Sequence, residues 1–405
     1  MDGTTGGIDV QLQPIIATVV AAIKNNDCTE EVILPEQRFL EQLAQAAIQL
    51  DMTFYVIQMS DFNVEKKELS GYVWSDSLWK KQRISLPDII YDRRFHTNYK
   101  DFATSSKQLQ LLQQTKNHLR LNATLPGKWA VHRILQTDSS LQQYLPPTLP
   151  FIHMKHLLAL LKKQPNGVII KPKAGMQGKG IIRIHSSDSS EKQWKLTGRT
   201  MSNQSFSINL SGIEALTKKF HTIIASQRYL LQPYLQLVDK DDYPFDLRCL
   251  LQKDKSGLWQ MTSIAVRCGQ QHSITSNLHG GGIAVSLATL PDRLTTFIDM
   301  KQLEQTLHSL SIHAATLLEQ RLGKFAELAF DFGLDRQQQL WLLEVNSRPG
   351  RQSFTMIKDK KAQVLSTIRP LQYGHYLWKH ANNDRRYSHL LHATMRSLNI
   401  QEVHR

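Results

Sequence analysis

Glu344 and Asn346 stand two residues apart in the apolar run Leu340-Trp341-Leu342-Leu343-Glu344-Val345-Asn346, which stops at Ser347-Arg348-Pro349-Gly350. Side chains alternate faces along a strand, so a carboxylate and an amide at this spacing point the same way. Two oxygen donors on one face of an otherwise apolar strand are costly unless something pairs with them. A hard divalent cation such as Mg2+ is the natural partner. A third acid comes from Phe325-Ala326-Glu327-Leu328-Ala329-Phe330-Asp331-Phe332-Gly333-Leu334-Asp335, a second strand-like run that Asp335-Arg336-Gln337-Gln338-Gln339 would fold back alongside the first. That hairpin puts Asp331 near Glu344 and Asn346, with Glu327 on the same face as Asp331. An edge hairpin whose acids face water is the plain alternative. Three oxygen-bearing residues converging beside one turn favour a metal.

A metal held this way suits a nucleotide, and the chain also offers groups for phosphate. Residues 167–184 read as strand, glycine-rich turn and strand, containing Lys171-Pro172-Lys173-Ala174-Gly175-Met176-Gln177-Gly178-Lys179-Gly180. Gly175, Gly178 and Gly180 let backbone N–H groups approach an anion and take positive φ. Lys171, Lys173 and Gln177 flank or lie in the same turn, and Lys171 can reach the same phosphate. A flexible basic hairpin tip is the competing reading. The turn is neither GxxxxGK[ST] nor a GxGxxG that opens a helix. Asp331-Phe332-Gly333 spells the metal-binding triplet of protein kinases, but the chain has no HRD catalytic loop and no early glycine-rich loop, so the letters coincide by chance.

Three further segments complete the set. Tyr229-Leu230-Leu231-Gln232-Pro233-Tyr234-Leu235 is a strand ending at a proline, whose free backbone groups could hydrogen-bond an adenine edge through Gln232, Pro233 and Tyr234, or simply link two lobes. Phe245-Asp246-Leu247-Arg248 and Ser263-Ile264-Ala265-Val266-Arg267 place arginine forks in neighbouring strands, suited to bidentate contact with phosphate or carboxylate oxygens. A structural salt bridge from Asp246 to Arg248 or Arg267 is the alternative. Ser273 to Gly282 offers Asn277 and a triple glycine, as in a loop that closes over a triphosphate. His279 within it is assigned no chemistry.

In order, KPxxGxxGxG, QPY, FDLR, AVR, SNLHGGG, DFGLD and EVNSRPG resemble the ATP-grasp superfamily, and more closely the YheC/YheD-type endospore coat-associated proteins. The likeness runs from about Pro87 to Arg351 and takes in Lys128-Trp129-Ala130-Val131-His132-Arg133. Gly127 stands where an acid would be expected, and Arg348 where lysine or serine would be. The resemblance implies a mixed α/β ATP-grasp fold whose two lobes grip ATP, behind a pre-ATP-grasp α/β domain that helps bind an acceptor. It implies Lys128 and Lys171 as phosphate lysines, Gln232 to Tyr234 as adenine hinge, and Asp331, Glu344 and Asn346 as Mg2+ ligands. Arg248, Arg267 and Asn277 would line the phosphoryl-transfer site. The implied reaction is ATP- and Mg2+-dependent joining of a carboxylate to an amine through an acylphosphate. A coat-associated scaffold that keeps an ATP site, and an ATP-dependent kinase, are the alternatives.

These residues need at least two cores to hold them, and 405 residues are enough for two or three packed units. The expected divisions are an α/β region over 1–120, a first lobe over 121–225, a second over 226–357 and a helical tail over 358–405. Pro14 to Lys24 and Gln37 to Leu50 look helical, Thr53 to Met59 and Ile84 to Tyr91 look like strands, and Ser186 to Ser211 reads as an elaborated loop or hairpin. No run approaches the ~20 apolar residues of a membrane span, and Met1 to Gly7 has neither the basic nor the apolar part of a signal sequence, so a cytoplasmic protein is expected. Cys28, Cys249 and Cys268 are few and unclustered, which excludes a disulfide framework or a zinc knuckle. The net charge of +14 is scattered and carries no nucleic-acid motif; it suits an acidic peptide or other polyanionic acceptor equally well. A homodimer is compatible with the resemblance.

Overall fold

The computed structural model describes residues 13–25, 32–95, 99–175, 177–187, 192–224, 228–271 and 273–402, with the last helix described by its backbone alone from 383 onward. Cys28 lies outside these residues. Two compact units are present: one takes in the described residues up to Asn122, Lys253–Leu258 and the chain from Leu365, the other Ala123–Gln252 and Trp259–Val364.

The first unit follows the order β1 (Ile15–Val20), β2 (Lys24–Asn25), β3 (Val32–Ile33), α1 (Gln37–Gln49), β4 (Thr53–Gln58), β5 (Phe62–Asn63), β6 (Glu68–Ser75), β7 (Leu78–Ile84), β8 (Ile89–Asp92), α2 (Tyr99–Thr115) and β9 (Leu119–Arg120). β1 lies inside its sheet, parallel to β4 on one side and to β8 on the other; β9 extends the parallel part, and β6 joins β4 antiparallel and carries β5 and β7 beyond it. Pro14 to Lys24, expected to be helical, therefore contains a strand. The reason is visible in Ile15-Ile16-Ala17-Thr18-Val19-Val20, which is β-branched at every position but one and buried from Ile16 onward. A strand covered on both faces loses the alternation that would have marked it. Ile84 to Tyr91 is likewise not one strand: β7 ends at Ile84 and β8 starts at Ile89. Pro87 lies between them, where it cannot donate to a ladder, and the Asp88 carboxylate accepts the Ile15 N–H at 2.9 Å.

The second unit begins with α3 (Lys128–Leu135), α4 (Ser139–Gln142), β10 (Leu149–Pro150), α5 (Met154–Lys163), β11 (Val168–Pro172), β12 (Ile182–Ser186), β13 (Gln193–Arg199), β14 (Ser205–Ser211), α6 (Gly212–Ile224) and β15 (Tyr229–Pro233). Its strands make an antiparallel sheet in the order β10-β15-β11-β12-β13-β14. Val168, Ile170, Ile182, Ile184, Trp194 and Leu196 alternate onto one face and are buried with helices α5 and α6. The opposite face is left for Ile169, Lys171 and Arg183.

The chain then continues through β16 (Phe245–Lys253), β17 (Trp259–Cys268), β18 (Ile283–Ser286), α7 (Met300–Leu322), β19 (Glu327–Leu334), β20 (Leu340–Asn346), α8 (Gln352–Met356) and α9 (Lys360–Glu402). Strands β18-β17-β16-β19-β20 form a second sheet. Every residue of β19 is buried, and Phe330 and Phe332 join Leu307, Ala314 and Leu318 of α7 in one core. Removing either phenylalanine side chain costs about 3–5 kcal/mol at such a site. Cys249 and Cys268 are free, buried thiols of this sheet. Burial pushes the Cys268 thiol up, which keeps it unreactive.

Candidate nucleotide and metal site

The second unit holds a cavity whose lining includes Lys128 and Lys171, the segment Gln232 to Leu235, and Asp246, Arg267, Asn277, Asp331 and Glu344. Lys173, Gly175, Gln177, Gly178, Gly180, Arg248 and Asn346 lie outside that lining.

The acids come from the β19–β20 hairpin. Asp331 pairs with Glu344 and Ala329 with Asn346, which puts all three oxygen residues on one side of the hairpin. The register then slips: Phe332 pairs with Leu342, and Leu343 is the extra residue of a β-bulge. A bulge seats two residues opposite one and re-aims the side chains beside it. Leu343 thus lines the cavity next to Glu344, where plain alternation would have sent it to the other face. Glu327 shares the face of Asp331 but is fully buried and spoken for: Arg351 donates to it at 2.5 Å and Gln252 at 2.9 Å. Its place is beneath the turn that follows β20, whose Pro349 carbonyl Arg351 also holds, at 2.8 Å.

Asp331 is the centre of a buried charge network. Arg248, opposite it on β16, donates to both of its oxygens, and Arg267 donates to Oδ2 at 2.9 Å. Arg267 in turn grips Asp246 through Nε at 2.6 Å and Nη2 at 2.7 Å, while the Ser276 hydroxyl donates to Asp246. Burial works to raise the Asp331 pKa, but the two guanidinium charges outweigh it and hold the carboxyl below its usual range. The Asp246–Arg267 salt bridge foreseen as an alternative is present, and Arg267 still reaches the cavity lining. Arg248 meets Asp331 as its cross-strand neighbour, outside the cavity lining.

The cations come from the other side. Lys128 opens α3 and donates to Glu344 at 2.7 Å. Lys171, at the end of β11, pairs with no acid among the described residues; burial and the like charge of Lys128 push its ammonium down to about 8, with Glu344 opposing. His132, one turn into α3, is pushed down to about 4 by burial and by Lys171, so it is neutral at ordinary pH. Lys128, Lys171 and Glu344 leave one positive charge in excess. The Asp246–Asp331–Arg248–Arg267 group is balanced. Such a cavity attracts an anion.

The hinge segment has its own logic. The Lys173 N–H donates to the Arg228 carbonyl at 2.8 Å and the Phe151 N–H to the Tyr229 carbonyl at 3.0 Å, so even-numbered carbonyls of β15 face β11 and odd-numbered ones face β10. β10 pairs only with Leu230 and Leu231, and continuing its register sets Pro147 opposite Pro233. A proline has no N–H to give. The Pro233 carbonyl is thereby left over, and the Leu235 N–H has no acceptor among the described residues. One acceptor and one donor two residues apart on a cavity wall can read the edge of a purine. The Gln232 side chain does something else: it donates to the Thr148 hydroxyl at 2.6 Å and ties β15 to the segment before β10. The Arg183 guanidinium lies 3.7 Å from the centre of the Tyr234 ring and donates to the Asn166 carbonyl, stiffening the hinge from behind.

The donors suit a hard cation. Glu344 and Asn346 are half-buried, carry oxygen, and share a side with Asp331, which is the chemistry Mg2+ requires. Asp331 accepts three hydrogen bonds where a carboxylate offers about four lone-pair sites, so its capacity for a further ligand is small and Glu344 is the freer carboxylate. Among the described residues no group of three His, Cys, Asp or Glu side chains forms a metal cluster. Two carboxylates and an amide fall short of that pattern, and phosphate oxygens would have to complete the shell.

Sequence reading did not single out Ser276, Leu343 or Arg183. Ser276 carries no motif of its own, Leu343 depends on the bulge, and Arg183 is one arginine among many.

An arrangement of two antiparallel sheets around a cationic, acid-floored cavity is the ATP-grasp architecture. The chain superposes on D-cycloserine synthetase DcsG with a TM-score of 0.50 at 13% identity, covering 88% of this chain and 99% of that one. The D-alanine-D-alanine ligase from Coxiella burnetii gives 0.50 at 10% identity over 93% and 99%. The ATP-grasp ligase PsnB gives 0.50 at 11% over 88% and 100%. A profile described as YheC/D like ATP-grasp matches residues 117–377, and the chain belongs to that family. The endospore coat-associated protein YheC of Bacillus subtilis (strain 168) is 29% identical over 353 residues, 85% of this chain and 93% of YheC. Its YheD is 28% identical over 338 residues, 80% of this chain and 70% of YheD. Among the described residues no helix is long and apolar enough to cross a membrane.

Proposed function

We propose that this protein is an ATP- and Mg2+-dependent carboxylate–amine ligase that works through an acylphosphate. The observation that carries the reading is the pairing, on one cavity, of an unbalanced lysine cluster with two strand-borne acids, beside a wall with a spare backbone acceptor and donor. The base would sit against Pro233 and Leu235, and the phosphates would run toward Lys128 and Lys171. Asp331, Glu344 and Asn346 would hold Mg2+, which supplies charge neutralisation on the phosphate oxygens when bound. A carboxylate oxygen of the acceptor attacks the terminal phosphorus and ADP departs with the bridging oxygen. The amine nitrogen then attacks the acyl carbon, inorganic phosphate leaves, and the nitrogen loses a proton. In such a transfer the protein mostly positions and neutralises, which is what lysine and arginine side chains at fixed places supply. Arg267, and Arg248 beside Asp331, would offset charge on the transferring group, with Asn277 at the loop edge. The excess of basic residues favours an acceptor that is itself negative, such as an acidic peptide.

The test is ADP release measured against a panel of carboxylic acids and amines. Release that needs both, with an amide found by mass spectrometry, supports the ligase. A stable phosphorylated product would make the protein a kinase. Absence of turnover across a broad panel, with MgATP still bound, would leave an ATP-binding scaffold.

A further inference from the structure

Arg199, the last residue of β13, joins three loops around the phosphate end of the cavity. Its Nη1 donates to the Asn203 carbonyl at 2.9 Å in the β13–β14 turn, and its Nη2 donates to the Gly280 carbonyl at 3.1 Å in the loop that carries Asn277. Its own N–H donates to the Ile181 carbonyl at 2.9 Å, just after the glycine-rich turn. Arg199 is 7% exposed, its Nε has no partner, and its side chain bonds only to the Asn203 and Gly280 oxygens among the described residues. A buried cation held only by neutral carbonyls is an expensive way to close a hairpin turn. Its second hand reaches 81 residues along the chain to the opposite lobe.

What Arg199 holds in place is specific. A Cβ on Gly178, at φ +73°, would lie 2.2 Å from the Asn277 Nδ2, so the glycine turn and the 273–282 loop touch through a glycine and that amide. A Cβ on Gly280 would lie 2.4 Å from Arg199 Nη2, so the guanidinium is seated against bare backbone. We propose that Arg199 is a positioning residue that latches the 273–282 loop to the first lobe and so keeps Asn277 over the glycine turn while nucleotide is bound. This rests on the nucleotide reading above. The latch acts through the loop, and it governs escape of nucleotide more than entry, as loop closures do.

The experiment uses the full chain, MgATP for affinity and a fluorescent ATP analogue with Mg2+ for stopped-flow rates. Arg199→Met is expected to raise the nucleotide off-rate by about tenfold, the worth of one lost hydrogen bond to a charged donor, with the on-rate changed less than about twofold. Arg199→Lys is expected to recover part of the loss. Gly280→Ala gives an independent perturbation: the φ of Gly280 is outside the left-handed region, and the intruding methyl meets only the movable end of a side chain, so the fold survives while the guanidinium is pushed off. It should reproduce the Arg199→Met off-rate, and the double variant should be no worse than either alone. Asn277→Ala combined with Arg199→Met should likewise be non-additive. Wild-type binding with an unchanged off-rate in both Arg199→Met and Gly280→Ala overturns the latch and leaves the nucleotide site standing. Additive effects with Asn277→Ala overturn it too. A wild-type chain with no affinity for MgATP removes the nucleotide reading, and the latch falls with it.

Discussion

Lys171 offers a titration that tests the geometry of the phosphate site. Its ammonium is held at about 8 by burial and by Lys128, against the pull of Glu344. If phosphate binding needs the charged form, the site is about 90% competent at pH 7 and about 10% at pH 9, so the MgATP Kd should rise about tenfold over those two units. His132 is neutral throughout, having been pushed down to about 4, and adds no step there. Lys128→Met weakens binding at every pH, but it removes a like charge and frees Glu344 from its ion pair, and both changes raise the Lys171 pKa. Its midpoint should therefore move above that of the wild type. Lys171→Arg should flatten the profile, because a guanidinium stays charged. Stability runs the opposite way. With the folded pKa below the ordinary lysine value of 10.5, unfolding takes up a proton between pH 8 and 10.5, and the Lys171 contribution to folding grows as pH rises through that window. Calorimetric Kd values from pH 7 to 9 and melting curves over the same range separate the two trends. A flat wild-type Kd, or a Lys128→Met midpoint below the wild type, refutes the placement of Lys171 against bound phosphate.

Glu344→Gln is expected to abolish nucleotide turnover while the melting temperature stays close to wild type, since the carboxylate is 30% exposed and its Lys128 pair is worth about 1 kcal/mol or less; normal turnover would end its assignment to the metal. Asp331→Asn should do both kinds of damage, because it leaves the Arg248 guanidinium without its acid and Arg267 with Asp246 alone, at a cost of about 3–5 kcal/mol read as a lowered urea midpoint. A loss below about 1 kcal/mol would show that the network does not depend on Asp331. Pro147→Ala supplies an N–H where none exists opposite Pro233, and competition for that carbonyl should weaken ATP two- to tenfold, about the worth of one backbone hydrogen bond. An unchanged Kd for ATP would remove Pro233 from base recognition.

Alternation alone paired Glu344 with Asn346 and brought Asp331 beside them, because one-sided strands carry their geometry in a two-residue period that survives any packing. The same rule missed β1, where burial on both faces erases the period, and it could not place Leu343, because a bulge is a local extra residue that no periodic pattern announces. The sequence also supplied every arginine and acid of the Asp246–Arg267–Asp331–Arg248 network, but it left open which would pair. That choice belongs to strand order: β16 lies between β17 and β19, so its two outward charges meet partners from both neighbours. Residue types and spacing thus determined a chain with metal-suited oxygens, phosphate-suited lysines and a glycine turn, since those properties travel with the covalent sequence. Only the tertiary structure decided that Lys128 meets Glu344 across 216 positions, that Pro147 leaves the Pro233 carbonyl spare, and that Arg199 reaches Gly280, because contacts between distant segments exist only once the sheets have set their register.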